Sequence, residues 1–254
     1  MDAPVLRVMT LLEIVAGAFR LYGDTVVPAV PIALAANLPL LLVSGMSLDP
    51  GVGSPLELTA TLVLILLCTG LAVSAVTRAL LGAAAGRPVP WPGLLRRTLA
   101  RSLASVILTY ALTSFIANAG LLMLVLPGLA LGGLFAAALP AVLVERRASF
   151  SALGRSIALM RQDLLKAMAA FSFAVLVSEV LPVGLVLALQ VAAGPSPFSP
   201  LLAVLMNGVT LPLALAVNVV LYVSARVEQG TAPAALQAEL AHAAAGEAPP
   251  PEGA

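Results

Sequence analysis

The chain has 254 residues, 61% of them hydrophobic and only 10% charged, with a net charge of +1. Soluble domains carry roughly 25% charged residues, so this composition belongs to an integral membrane protein. The small net charge removes the electrostatic case for a nucleic-acid partner, and one cysteine (Cys68) with one histidine (His242) leaves no internal disulfide, no CxxC metal site and no histidine triad.

The first predicted element is amphipathic. Over 10–23, within "LLEIVAGAFRLYGD" (Leu11 to Asp24), Leu12, Val15, Phe19 and Tyr22 recur at helical spacing. Asp2, Arg7, Glu13, Arg20 and Asp24 interrupt any apolar core of a leader, so no cleaved signal peptide is expected. Crossings are then counted against the approximately 20 apolar residues that a hydrocarbon core of about 30 Å requires. Asp24 and Asp49 bracket 24 uncharged residues, and Glu57 and Arg78 bracket 20, predicting spans at 25–47 and 58–80. A basic, helix-compatible stretch, "WPGLLRRTLARS", follows.

Arg101 and Glu145 bracket 43 uncharged residues. As one helix these would reach roughly 65 Å at about 1.5 Å per residue, so they are read as two spans, 103–126 and 129–144. Pro127-Gly128 is expected to form the tight outer turn, which leaves a return leg of 16 residues, short for a crossing. Gly132-Gly133 and Ala136-Ala137-Ala138 would let a neighbouring helix approach closely, and Pro140 is read as a kink near the inner end. A second amphipathic stretch, 150–163, places Phe150, Leu153, Ile157 and Met160 at the same intervals as the first. Lys166 and Arg226 then bracket 59 residues with one charge, Glu179, interrupted at Gly194-Pro195-Ser196-Pro197 and Pro200; spans at 167–192 and 201–225 result.

The expected fold is all-α and membrane-integral: six transmembrane helices over 1–229, paired as three hairpins, with cytoplasmic interfacial amphipathic helices before the first and third pairs. The tail, 230–254, is Pro/Ala-rich and is expected to be disordered and cytoplasmic. With six spans, all 13 lysines and arginines fall on the side that holds both termini, which predicts a multi-pass protein of the bacterial inner membrane with both ends cytoplasmic.

Glu179 is the sharpest single feature. It lies 13 residues beyond Lys166, about 20 Å along a helix and near mid-span, where a carboxylate costs about 2.5–3.5 kcal/mol on insertion scales. It reads either as a proton, ion or head-group site or as packing glue bonded to Asn118, Asn207 or Asn218. Glu145 stands at an inner helix end as one half of a candidate latch, with Arg155 as its partner. Arg96, Arg97, Arg101, Arg155 and Arg161 are candidate contacts for anionic lipid, and Arg78 reads as a snorkelling anchor. GxSxG, Walker A, HExxH and paired intramembrane acids are all missing, so no enzyme chemistry, cofactor or metal is expected.

A longer pattern carries a resemblance. It comprises Pro127-Gly128, Pro140, Glu145, Ala152-Leu153, Ser156 and Leu159, flanked by "EIVAGAFRLYGD" and "VLYVSARVEQG". Over roughly residues 10–230 it resembles a group of bacterial six-span proteins that includes the membrane domain attached to some glycerophosphoryl diester phosphodiesterases. The resemblance implies architecture and not catalysis, because the acidic and histidine residues of the phosphodiesterase domain have no counterpart here. Two functional expectations follow. One is a non-enzymatic accessory or scaffold in envelope and lipid homeostasis, with membrane lipids and an envelope protein as partners. The other is a small transporter or permease that uses Glu179.

Overall fold

The computed structural model describes residues 6–45, 55–87, 94, 98, 103–194 and 198–247. Among these the regular structure is helical throughout, and six segments are long and apolar enough to cross a membrane: Leu11–Pro39, Thr59–Ala84, Leu103–Leu122, Val125–Val144, Ser149–Ala192 and Leu201–Glu228. The chain is therefore an all-helical, multi-pass membrane protein.

The predicted lead-in and first span are one continuous helix, α1 (Leu11–Gly45). It starts at a capping box: Thr10 N–H donates to Glu13 Oε2 (2.9 Å) and Glu13 N–H donates back to Thr10 Oγ1 (3.4 Å). Its buried seam is Ile14, Ala18, Leu21, Thr25, Ala29 and Ala33, whereas Leu12 and Phe19 point outward at 81% and 51% exposure. Of the apolar residues spaced over 10–23, Leu12 and Phe19 thus point away from the bundle, while Val15 and Tyr22 are half-buried and Tyr22 packs against the core. The reason is the solvent: large apolar side chains lose nothing by facing lipid, and close helix packing favours small residues. α1 packs on α2 (Pro55–Ala84) and along α9 (Ser199–Glu228), the latter buried almost all round from Leu213 to Arg226.

The reversal expected at Pro127-Gly128 occurs earlier. α3 (Leu103–Met123) is followed after only Leu124, extended at φ −160° and ψ 134°, by α4 (Val125–Phe135). Pro127 sits in the first turn of α4, where its missing N–H removes no ladder bond. Gly128 is instead a packing residue, because a Cβ there would meet the backbone of Gly120 at 2.7 Å. The return leg consequently runs from Val125 to Val144, 20 residues and not 16. It is broken at Ala136-Ala137, before α5 (Ala138–Val144). Pro140 cannot donate to the Ala136 carbonyl and its ring crowds that oxygen, so the kink lies four residues ahead of the proline.

α6 (Ser149–Met160) buries Ser149, Ala152, Leu153, Ser156, Leu159 and Met160, and exposes Phe150 (72%) and Ile157 (38%). The four residues spaced over 150–163 are thus divided, Leu153 and Met160 against the bundle and Phe150 and Ile157 outward. Ser156 Oγ–H donates to the Leu134 carbonyl at 2.7 Å, tying α6 to α4. A 3₁₀ turn (Arg161–Asp163) leads into α7 (Leu164–Val175), capped by Asp163, whose Oδ1 accepts from Lys166 N–H (3.2 Å). Gly133 lets the α7 backbone approach, since a Cβ there would lie 2.9 Å from Met168 N. A π-helical turn (Leu176–Val180) then continues into α8 (Leu181–Ala193).

The tail expected to be disordered contains a helix, α10 (Pro233–Ala245). Leu236, Leu240, Ala243 and Ala244, at i, i+4, i+7 and i+8, are buried, and α10 packs mainly on α2. Low apolar content does not prevent the helix because it borrows its hydrophobic partner from the bundle. Pro233 opens it and Gly246, at φ 74°, closes it.

Candidate functional site

Two polar centres are built into the bundle. The first surrounds Glu145, which caps the C-terminal end of α5 and is 11% exposed. Arg147 Nε lies 2.7 Å from Oε2, Arg155 Nε lies 3.0 Å from both carboxylate oxygens, and Arg226 Nη1 lies 3.2 Å from Oε1. The Tyr222 hydroxyl, itself fully buried, donates to the same Oε1 at 3.2 Å and accepts from Arg226 Nη1 at 2.7 Å. Arg226 also binds Glu239 of α10 (2.8 Å), and Arg155 donates to Gln229 (3.1 Å). One carboxylate thus gathers α5, α6 and α9, and Arg226 extends the network to α10 through Glu239. Burial pushes the Glu145 carboxyl upward, but the hydrogen bonds from Arg147 and Arg155 and the charges of Arg155 and Arg226 outweigh it and hold the group below the ordinary carboxylate range. Tyr222, Arg226, Gln229 and Glu239 escaped sequence reasoning. The available signal was the spacing i, i+4, i+7 of Tyr222, Arg226 and Gln229, which places them on one face of α9.

Arg78 is 3% exposed and donates to the Ala243 carbonyl at 2.7 Å, so it caps the C-terminal end of α10 and does not snorkel. Arg146, in the left-handed region at φ 50°, donates to the Gly246 carbonyl at 3.0 Å. Arg161 is exposed, whereas Arg155 is engaged by Glu145 and Gln229. Arg96, Arg97 and Arg101 lie outside the described residues, as does most of "WPGLLRRTLARS".

The second centre surrounds Glu179, in the π-helical turn. Pro182 has no N–H to offer the Ser178 carbonyl, and the ladder widens in the turn before it, where Leu181 N–H reaches back to the Leu176 carbonyl. Glu179 lines a cavity of ≈ 430 Å³ together with Asn118, Asn207 and Asn218. The three asparagines weighed as partners are therefore brought to one place with it. All six candidate spans contribute: Asn37 from α1, Thr69 from α2, Tyr110, Thr113, Ser114 and Asn118 as a stripe of α3, Phe135 of α4, Phe171 of α7, and Asn207 and Asn218 of α9.

The asparagines are nevertheless not glue for Glu179. Asn118 Nδ2 donates to the Ser114 carbonyl (2.8 Å), and Asn37 Nδ2 donates to Asn207 Oδ1 (3.1 Å). Asn218 Oδ1 is buried with no partner, and Glu179, an exposed side chain, has no hydrogen bond or ion pair among the described residues. A second cavity of ≈ 480 Å³ shares Asn37, Ser178, Glu179 and Asn207 with the first and continues between α8 and α9 along Val183, Val186, Leu187 and Val204. Glu179 stands at the junction of a polar chamber and an apolar groove. Among the described residues no group of three or more histidine, cysteine or acidic side chains is placed to hold a metal.

No protein-family model matches this chain, and no curated protein or solved structure matches it. The resemblance drawn from the motifs therefore rests on those motifs alone.

Proposed function

We propose that this chain is a permease-like membrane protein that binds a small ligand within the bilayer, with Glu179 as its polar anchor. The observation that carries this reading is the convergence of all six candidate spans on one polar cavity around an unpartnered mid-span carboxylate. An acid in that position is costly, and intramembrane acids mark substrate or ion pathways. A π-helical turn at the same point is a feature frequent at functional sites. Cavities of about 300–1,000 Å³ are the usual size for small-molecule sites.

The placement that goes with this reading is the bacterial cytoplasmic membrane, with both termini on the cytoplasmic side and the lysines and arginines on the inner face. The spans pair as three successive hairpins, and the outward-facing Leu12, Phe19, Phe150 and Ile157 lie at the inner interface. The kinship with phosphodiesterase membrane domains belongs to the same proposal. Burial of Ala152, Leu153, Ser156 and Leu159 supports taking that motif as a packing seam.

The test is cysteine accessibility in a Cys68→Ser background. Asn118→Cys and Asn207→Cys should react with a membrane-impermeant thiol reagent from one side only. Protection from both sides would remove the permease reading. A second reading, an accessory or scaffold protein, is favoured by the ordered ion-pair network on Glu145 and the docked α10.

A further inference from the structure

Resting on the ligand-binding reading above, we infer that the ligand is a single-chain amphiphile with an ammonium head group: head in the polar chamber, alkyl chain in the groove between α8 and α9. The chamber presents acceptors that lack donors. The exposed Glu179 carboxylate has no protein partner and Asn218 Oδ1 is buried without one, so both can accept from a head group that carries N–H or positive charge. No lysine or arginine is among the described residues that line either cavity. An anionic head would therefore meet a carboxylate with nothing to neutralise it. Tyr110, Phe135 and Phe171 line the same chamber, and aromatic faces with a carboxylate are the chemistry that recognises an ammonium ion.

The apolar half of the ligand follows from what leads away from Glu179. The ≈ 480 Å³ groove passes into a further apolar cavity of ≈ 380 Å³ through the shared Val186 and Gln190, ending at Gly194 and Phe198. From Glu179 to Gly194 the helix advances about 22 Å at about 1.5 Å per residue, enough for one long alkyl chain laid along it. Val183 and Leu187 remain 64% and 58% exposed, so the groove is open sideways and a chain can enter from the lipid.

The experiment compares three hexadecyl amphiphiles that differ only in head group, trimethylammonium, maltoside and sulfate, on the full chain in a neutral detergent. Retention is read by native mass spectrometry and by the rise in apparent melting temperature. The ammonium compound is expected to bind at least about tenfold tighter than the other two, and Glu179→Gln to remove that preference while Glu179→Asp keeps most of it. Equal or tighter binding of the maltoside or sulfate, lost in Glu179→Gln, would overturn the ammonium assignment and leave the site standing. If no compound is retained better by wild type than by Glu179→Gln, both the assignment and the site fail. The head-group comparison needs only wild-type protein, so a poorly folding variant does not spoil it.

Discussion

Glu145 and Glu179 are the same residue in the same chain, and their surroundings give them opposite characters. Glu145 is saturated: three guanidinium groups and a tyrosine hydroxyl converge on its two oxygens, and it ties three helices together directly, with a fourth joined through Arg226. Glu179 is held open by a widened helical turn, faces two cavities and has no protein partner among the described residues. A fully partnered buried acid is architecture, because removing it strands the cations around it. An unpartnered one is a cost that only something outside the chain can offset.

Breaking the partnered centre should have the largest effect. Glu145→Ala removes the acceptor shared by Arg147, Arg155, Arg226 and the buried Tyr222 hydroxyl, leaving Arg226 only Glu239 as counter-charge, and a loss of about 3 kcal/mol is expected, read as a fall in apparent melting temperature in detergent. pH reports on the same group. Its folded-state carboxyl is held below the ordinary value, so its contribution is complete above that value and drains away as pH falls through the lowered one. Wild type should lose stability below about pH 4.5, and that acid limb should be flattened in Glu145→Gln. An unchanged limb would mean that other carboxylates carry it.

Next in size is Gly133→Ala, which forces a Cβ to within 2.9–3.0 Å of the α7 backbone; about 2 kcal/mol of destabilisation is expected from the same thermal assay. Glu239→Ala should cost at most about 1 kcal/mol, since Glu239 is the more exposed partner at 28% and Arg226 keeps Glu145. Glu179→Gln should lose no stability and, if anything, gain some, because no protein contact is lost and an uncompensated mid-span acid is removed. If its melting temperature fell as far as that of the Glu145 variants, the contrast between the two acids would collapse.

The number of crossings was legible because charge is excluded from hydrocarbon, so the uncharged runs measure out the spans directly. The faces of the helices were less legible. Periodic Leu12 and Phe19 mark a helix, but in lipid the seam is made of small residues such as Ala18 and Ala33, which periodicity of large side chains overlooks. Pro127-Gly128 misled for a similar reason: proline and glycine suggest a turn, whereas here one opens a helix and the other packs against Gly120. Glu179, Asn118, Asn207 and Asn218 could be named from sequence as polar groups out of place. Their convergence, and the absence of bonds between them and Glu179, depend on helix rotation, which hydropathy does not encode.

The hold on α10 has a consequence of its own. Arg78 and Arg146 grip the end of this helix through the carbonyls of Ala243 and Gly246, so that part of the attachment is addressed to its main chain. Such a clasp recognises a shape and is nearly blind to spelling. The outer face of the segment is then free to drift in sequence as long as it still coils and ends in a left-handed residue at 246. A proline in its last turn would undo what no exposed side-chain exchange there can.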